Sequence, residues 1–374
     1  MPGIYLHIPF CKQACHYCDF HFSTSLKNKQ PLLTALQSEL ILRSQELEGQ
    51  KVNTIYFGGG TPSLLTAEEI SSLLKSIEQH YNIAKNAEIT LEANPDDLSE
   101  EKIIELSKTS VNRLSIGIQS FFDEDLQMMN RAHNAKESES CLSIAKHYFK
   151  NITIDLIYGI PGLTTKRWKE NLQKSFNYGI PHISSYALTV EEKTALASFI
   201  KNKKYPELDE NLALEHFQIL ISETQKKGFV QYEISNFGQP GYFSKHNSSY
   251  WEGEPYIGIG PSAHSFHGNQ RSWNISNNAK YIQKLQQNEL ALTYEKLTKK
   301  DRYNEYIMTG LRTIYGISLE KVTRDFGEDY HSHLSNEAVP FLDDKTLTWD
   351  KNFIKVTSKG KFLTDGIAAS LFFI

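Results

Sequence analysis

Short β-rich runs ending in Gly, Pro or Asn alternate with stretches of helical periodicity from the start of the chain to about residue 190, and this alternation constrains the fold most. Parallel strands need crossovers long enough to hold a helix, so such a chain builds βα units around a parallel sheet. Six runs read as strands, Ile4–Ile8, Asn53–Phe57, Glu88–Glu92, Arg113–Ile118, Thr153–Tyr158 and Ser184–Leu188, separated by helical patterns such as Pro31–Leu47, Ala67–Tyr81 and Lys166–Tyr178. Six units fall short of the eight that close a full barrel, which predicts an α/β fold with a partial (β/α)6 barrel. Chemistry in βα barrels collects at the C-terminal ends of the strands. Cys11, Gly58–Thr61, Glu92, Gln119 and Asp155 are expected on or just beyond those ends.

The barrel is assigned to residues 1–200, a connecting and loop-rich region to 201–298 and a C-terminal domain to 299–374. The basic, polar stretch Lys201–Pro206 reads as a connection before a long helix at Glu207–Lys227, and Gly238–Asn278, rich in Gly, Ser, Asn and aromatics, reads as loops and hairpins. Helical patterns at Arg302–Ile314 and Ser318–Phe326, a hairpin at Thr346–Trp349 and Phe353–Val356, and a last helix within Ser358–Ser370 suggest a winged-helix-like unit. With 40 Lys and Arg against 44 Asp and Glu, the net charge of −4 lacks the basic excess that phosphate neutralisation requires, so no nucleic-acid partner is expected. No run of roughly 18 apolar residues exists to span a bilayer, and Met1–Tyr5 lacks the layout of a signal peptide. A cytoplasmic location is the expectation.

Three of the four cysteines, Cys11, Cys15 and Cys18, fall within eight residues just after the first strand. Thiols so close would close loops too short to constrain an unfolded chain, and metal ligation is the better reading. Zinc would need a fourth ligand, which His16, Asp19 or His21 could supply. A four-iron cluster on three cysteines instead leaves one iron open to an outside ligand. Cys141, in an amphipathic stretch, reads as a buried structural thiol.

The Cys-x3-Cys-x2-Cys spacing resembles the signature of the radical S-adenosylmethionine (SAM) superfamily. The segments Tyr5–Cys11, Gly58-Gly59-Gly60-Thr61-Pro62, Leu91–Pro95, Gly117–Phe121 and Asp155–Gly162 are similar to the branch that contains the oxygen-independent coproporphyrinogen III dehydrogenase. The resemblance runs through nearly the whole chain. It implies a [4Fe-4S] cluster on Cys11, Cys15 and Cys18, whose open iron takes the amino and carboxylate groups of SAM, and an external reductant for that cluster. It also implies a SAM site in which the backbone at Gly59, Gly60 and Thr61 meets the methionine ammonium, and Glu92 accepts from ribose hydroxyls. Gln119, Arg131 and Asp155 make further nucleoside contacts in that scheme, and Tyr5 and Tyr17 line the methionine and adenine sides.

Two features separate the chain from the dehydrogenase. Phe20 stands where that enzyme carries an additional cysteine, and only ten residues precede Cys11, too few for the enzyme's N-terminal extension. Cys18-Asp19-Phe20 resembles instead the HemW group of heme chaperones. A second segment, His246-Asn247-Ser248-Ser249-Tyr250-Trp251, resembles the HNxxYW motif associated with heme in that group. The resemblance implies heme as cargo held at or near His246, Asn247, Tyr250 and Trp251, with the imidazole as an axial ligand and the aromatics against the porphyrin. It further implies heme proteins as recipients, including respiratory, membrane-associated ones reached by transient docking. Coproporphyrinogen dehydrogenation is the alternative function. His264, within Gly258–His264, resembles another family segment without an assigned role.

Overall fold

Ile and Leu recur along the first five expected strands and are buried there, as suits strands of a covered parallel sheet. In the computed structural model, which describes residues 2–374, the six expected strands form β1 (Gly3–Ile8), β2 (Val52–Gly59), β3 (Ile83–Ala93), β4 (Arg113–Gln119), β5 (Asn151–Tyr158) and β6 (His182–Ala187), each paired in parallel with the next. The crossovers carry α1 (Lys29–Leu42), α2 (Ala67–His80), α3 (Glu100–Ser107), α4 (Asp123–Met128), α5 (Ala135–Tyr148) and α6 (Thr165–Asn177). Local chemistry sets their starts. Thr66 and Asn134 form capping boxes with Glu69 and Glu137, and Thr164 caps α6. The fold is therefore the α/β partial barrel expected from the alternation.

The region after β6 does more than connect. Helices α7 (Ala195–Lys201) and α8 (Glu210–Lys226) lead into β7 (Val230–Glu233) and β8 (Asn236–Gly238), and β8 pairs antiparallel with β6. After α9 (Lys245–Trp251), strand β9 (Tyr256–Ile259) returns to the opposite edge and pairs in parallel with β1. Strands β10 (His264–His267) and β11 (Gln270–Asn274), helix α10 (Asn278–Gln286) and strand β12 (Leu292–Lys296) extend that edge, giving a 12-stranded sheet. One correction follows: His246–Trp251, expected in a loop, is helical. Ser244 caps α9 by accepting from the Asn247 N–H at 3.3 Å, a start signal masked by the surrounding Gly and Ser.

The C-terminal unit consists of α11 (Lys299–Arg312), β13 (Ile317–Ser318), α12 (Leu319–Phe326), α13 (Glu328–Glu337), α14 (Val339–Asp343), β14 (Leu347–Asp350), β15 (Phe353–Val356) and α15 (Thr364–Ser370). Its three-stranded sheet has the order β13-β15-β14, the helices-plus-wing arrangement expected. It has an apolar core of its own around Tyr303, Ile307, Val322, Leu334 and Ile354, separate from the core beneath the large sheet. Among the described residues no helix is long and apolar enough to cross a membrane.

Candidate functional site

The segment from Cys11 to Cys18 has no regular structure, so its shape depends on partners elsewhere. Cys11 N–H donates to the Ser23 carbonyl at 3.1 Å, and His16 N–H donates to the Met129 carbonyl at 3.1 Å. The His16 Nδ1 lies 2.8 Å from the Met128 carbonyl, and Leu196 N–H donates to the His16 carbonyl at 2.8 Å. Asn130 pins the middle of the segment: its Nδ2 donates to the Ala14 carbonyl at 2.7 Å while its Oδ1 accepts from Gln13 Nε2 at 2.7 Å. Lys12 pairs with Asp96 and Asp97. All three thiols are half-buried. Cys141 is 1% exposed and donates to the Ser138 carbonyl, which fits a structural thiol.

Two donors reach the sulfurs. Thr61 Oγ1 lies 3.5 Å from Cys11 Sγ, and Arg131 Nη1 lies 3.3 Å from Cys15 Sγ and 3.4 Å from the Tyr17 hydroxyl. The other guanidinium nitrogen of Arg131 donates to Asn94 Oδ1 at 2.6 Å and to the Gly117 carbonyl at 3.1 Å, while its Nε is buried without a partner. Burial raises the Cys11 thiol despite the Thr61 hydroxyl and pushes Cys18 up to about 11. The glycines fit closely. Gly59 sits at φ 107°, and a Cβ there would come within 2.5 Å of the His7 ring; one on Gly60 would come within 2.6 Å of the Phe10 carbonyl.

Glu92, near the end of β3, accepts from the Tyr56 hydroxyl at 2.8 Å and from the Gly59 N–H at 3.2 Å. Lost hydration pushes its carboxyl up to about 7, and Asp155 nearby adds to the rise. Asp155 accepts from Ser115 Oγ at 3.4 Å; burial pushes it up to about 6, with Arg131 pulling the other way. Asp155 lies in the middle of β5, three residues before its end at Tyr158, and so deeper than the strand end where it was expected. Gln119 ends β4 at φ 61°, beside a register shift, and its side chain turns back over Gly117. The cysteines, Tyr17, Gly59 to Thr61, Glu92, Arg131 and Asp155 are thus joined by direct bonds or close electrostatic contact.

The four residues expected near heme sit on α9 and divide between its two faces. His246 is 1% exposed, with Nδ1 2.8 Å from Thr54 Oγ1 and Nε2 2.8 Å from the Tyr250 hydroxyl. Its ring stacks on Tyr56 at 4.8 Å and lies near Tyr5. Its backbone N–H donates to Glu88, and burial lowers the imidazole to about 3, so it is neutral. His246 and Tyr250, four residues apart, face the barrel interior; Trp251 faces the C-terminal unit, with the Arg312 guanidinium over its ring at 5.1 Å.

Residues 5–184 match the Radical SAM superfamily, and residues 297–363 match the HemN C-terminal domain. The chain is 35% identical to the heme chaperone HemW of Lactococcus lactis over 97% of each chain, and 32% identical to that of Bacillus subtilis over the same shares. It belongs to the HemW family. The fold of this HemW-family chain is that of the coproporphyrinogen III oxidase HemN from Escherichia coli, with a TM-score of 0.86 at 24% identity over 99% of this chain and 90% of the other. Two residues after Cys18, the HemW-family chain presents Phe20, 67% exposed. Two residues without an assigned role in the sequence join these contacts: Asn94 accepts from Arg131, and Tyr56 donates to Glu92 while its ring stacks on His246. Asn94 lies within the Leu91–Pro95 segment and Tyr56 two residues before Gly58, and their tertiary contacts are what mark them.

Proposed function

We propose that the chain is a heme chaperone that carries heme to recipient heme proteins, including membrane-associated ones, and works with a [4Fe-4S] cluster and SAM. Cys11, Cys15 and Cys18 would hold the cluster. Three thiols around a loop, with Thr61 and Arg131 donating toward two sulfurs, suit thiolates shared with irons, and the orphaned Arg131 Nε suits an added polar group. Gly59, Gly60, Thr61, Glu92, Gln119, Arg131 and Asp155, with Tyr5 and Tyr17, would receive SAM. When bound, the cluster would supply one-electron chemistry to the sulfonium of SAM. The chain's own work is to exclude water, hold the thiol loop through Asn130 and His16, and keep Glu92 aligned through Tyr56 and Gly59.

One observation carries this reading: nearly full-length likeness to heme chaperones, supported by a single tyrosine, Tyr56, that donates to Glu92 and stacks on His246 of the HNxxYW helix. Both imidazole nitrogens of His246 are engaged inside the fold, so a role as axial ligand would require α9 to swing away from Thr54 and Tyr250. The test is anaerobic reconstitution followed by hemin titration with and without SAM, then transfer to a heme-free recipient. Saturable hemin binding and a restored recipient spectrum are expected. Failure to bind hemin, or protoporphyrinogen formed at the rate of an authentic dehydrogenase, would overturn the proposal.

A further inference from the structure

The outward face of α9 borders a cavity of about 370 Å³ between the large sheet and the C-terminal unit. That volume is at the lower end of small-molecule sites, roughly 300–1,000 Å³. Ser248 and Trp251 of α9 form one wall; Tyr306 of α11, Tyr315, Lys321 of α12 and Phe353 of β15 form the other. Three properties select the occupant. The walls are aromatic, and Tyr315 and Phe353 are 53% and 39% exposed, so the cleft opens to solvent. Trp251 Nε1, which can only donate, is buried without an acceptor. Lys321 brings a cation that lies 5.4 Å from the Tyr306 ring centroid and shares Asp325 with Arg324. Glu252, at the end of α9, is the one acidic lining residue.

We infer that this cleft is the porphyrin-binding surface, taking a planar aromatic ring against Trp251, Tyr315 and Phe353 with a carboxylate turned toward Lys321 and away from Glu252. The inference rests on the heme-carrier reading and deepens it by moving recognition from the buried His246 to the opposite face of the same helix and to the C-terminal unit. A flat ligand lodged by one edge stays partly in solvent, which suits release to a second protein. Recognition through the ring and its carboxylates needs no iron.

The full-length reconstituted protein is titrated with hemin and, separately, with iron-free protoporphyrin IX, read by quenching of tryptophan fluorescence and by porphyrin absorbance. Wild type should bind both. Ser248→Trp, which fills the cleft, and Lys321→Glu, at a side chain 42% exposed, should each weaken both ligands by roughly tenfold or more, with iron content and circular dichroism unchanged. Tyr315→Ala, which removes an exposed ring, should weaken both less. Hemin binding equal to wild type in all three variants would overturn the cleft and leave the heme-carrier reading standing. Binding of hemin without protoporphyrin IX would also overturn it, since recognition would then run through the iron. Failure of wild type to bind either would sink both readings.

Discussion

The three clustered thiols differ from the fourth in what surrounds them, and that difference sets the first test. Cys141 is enclosed by α5 and bonded to its own helix, whereas Cys11 and Cys15 receive hydrogen bonds from side chains on other loops. Replacing any one of Cys11, Cys15 or Cys18 with Ala should reduce iron and sulfide from about four each per chain to near zero, while Cys141→Ala leaves them intact. Stoichiometric zinc without sulfide in the wild type would refute the cluster. Glu92 allows a test by pH. Burial raises its carboxyl from 4.5 to about 7, so between those values the folded chain holds a proton that the unfolded chain has released. Its contribution to stability therefore falls as pH rises through that window. Glu92→Gln should remove this dependence, making the variant gain thermal stability relative to wild type as pH goes from 4.5 to 7, while SAM binds roughly tenfold more weakly by calorimetry. A stability difference that does not move with pH would contradict the burial argument. His246→Ala strips partners from Thr54 and Tyr250 in a closed interior and should cost about 2–4 kcal/mol in denaturant unfolding. Unchanged stability would mean that α9 does not rest against the barrel in solution.

Elements position what the residues do. The thiol loop is held by the turn after α4, and Asn130 within that turn adopts φ 56°, a conformation that Asn tolerates better than most residues. Asn130→Ala should loosen residues 11–18, seen as faster amide exchange there and cluster loss in air accelerated several-fold, with the rest of the barrel unaffected. Exchange unchanged in that loop would show that His16 and Cys11 anchor it alone. Helix α9 is amphipathic in an unusual sense: its barrel face carries a polar network and its outer face an indole with an unsatisfied N–H. The local sequence Gly-Tyr-Phe-Ser reads as a turn, and the helix that follows is only seven residues long, too short to show a period.

At the scale of the whole molecule, the C-terminal unit is joined to the sheet by a buried ion pair. Glu233, 1% exposed, accepts from Arg312 Nε at 3.1 Å and Nη2 at 3.0 Å, and also from the Ser235 N–H and Asn236 Nδ2. Backbone bonds from Ile234 to Arg312 and from Ile314 to Tyr232 flank the pair. Arg312 keeps its second partner, the exposed Asp365, at 2.6 Å, so Glu233→Gln loses the charge-assisted bonds at the junction without leaving a bare cation and should destabilise it by about 1–3 kcal/mol. Because the two units have separate cores, calorimetry should then resolve two transitions where wild type shows one. A single unshifted transition would show that the pair contributes nothing to the junction. Six parallel strands, the helices between them, the wing and the spacing of the thiols were legible in the amino-acid order. Those depend on hydrophobic period, caps and turns, which act over a few residues and are written locally. Long-range packing put β7 and β8 at one edge of the sheet and β9–β12 at the other, brought Arg131 to Cys15, and turned His246 inward and Trp251 outward. Such contacts join residues more than a hundred positions apart in several cases, and burial of apolar surface selects among such pairings only once all the elements are packed together.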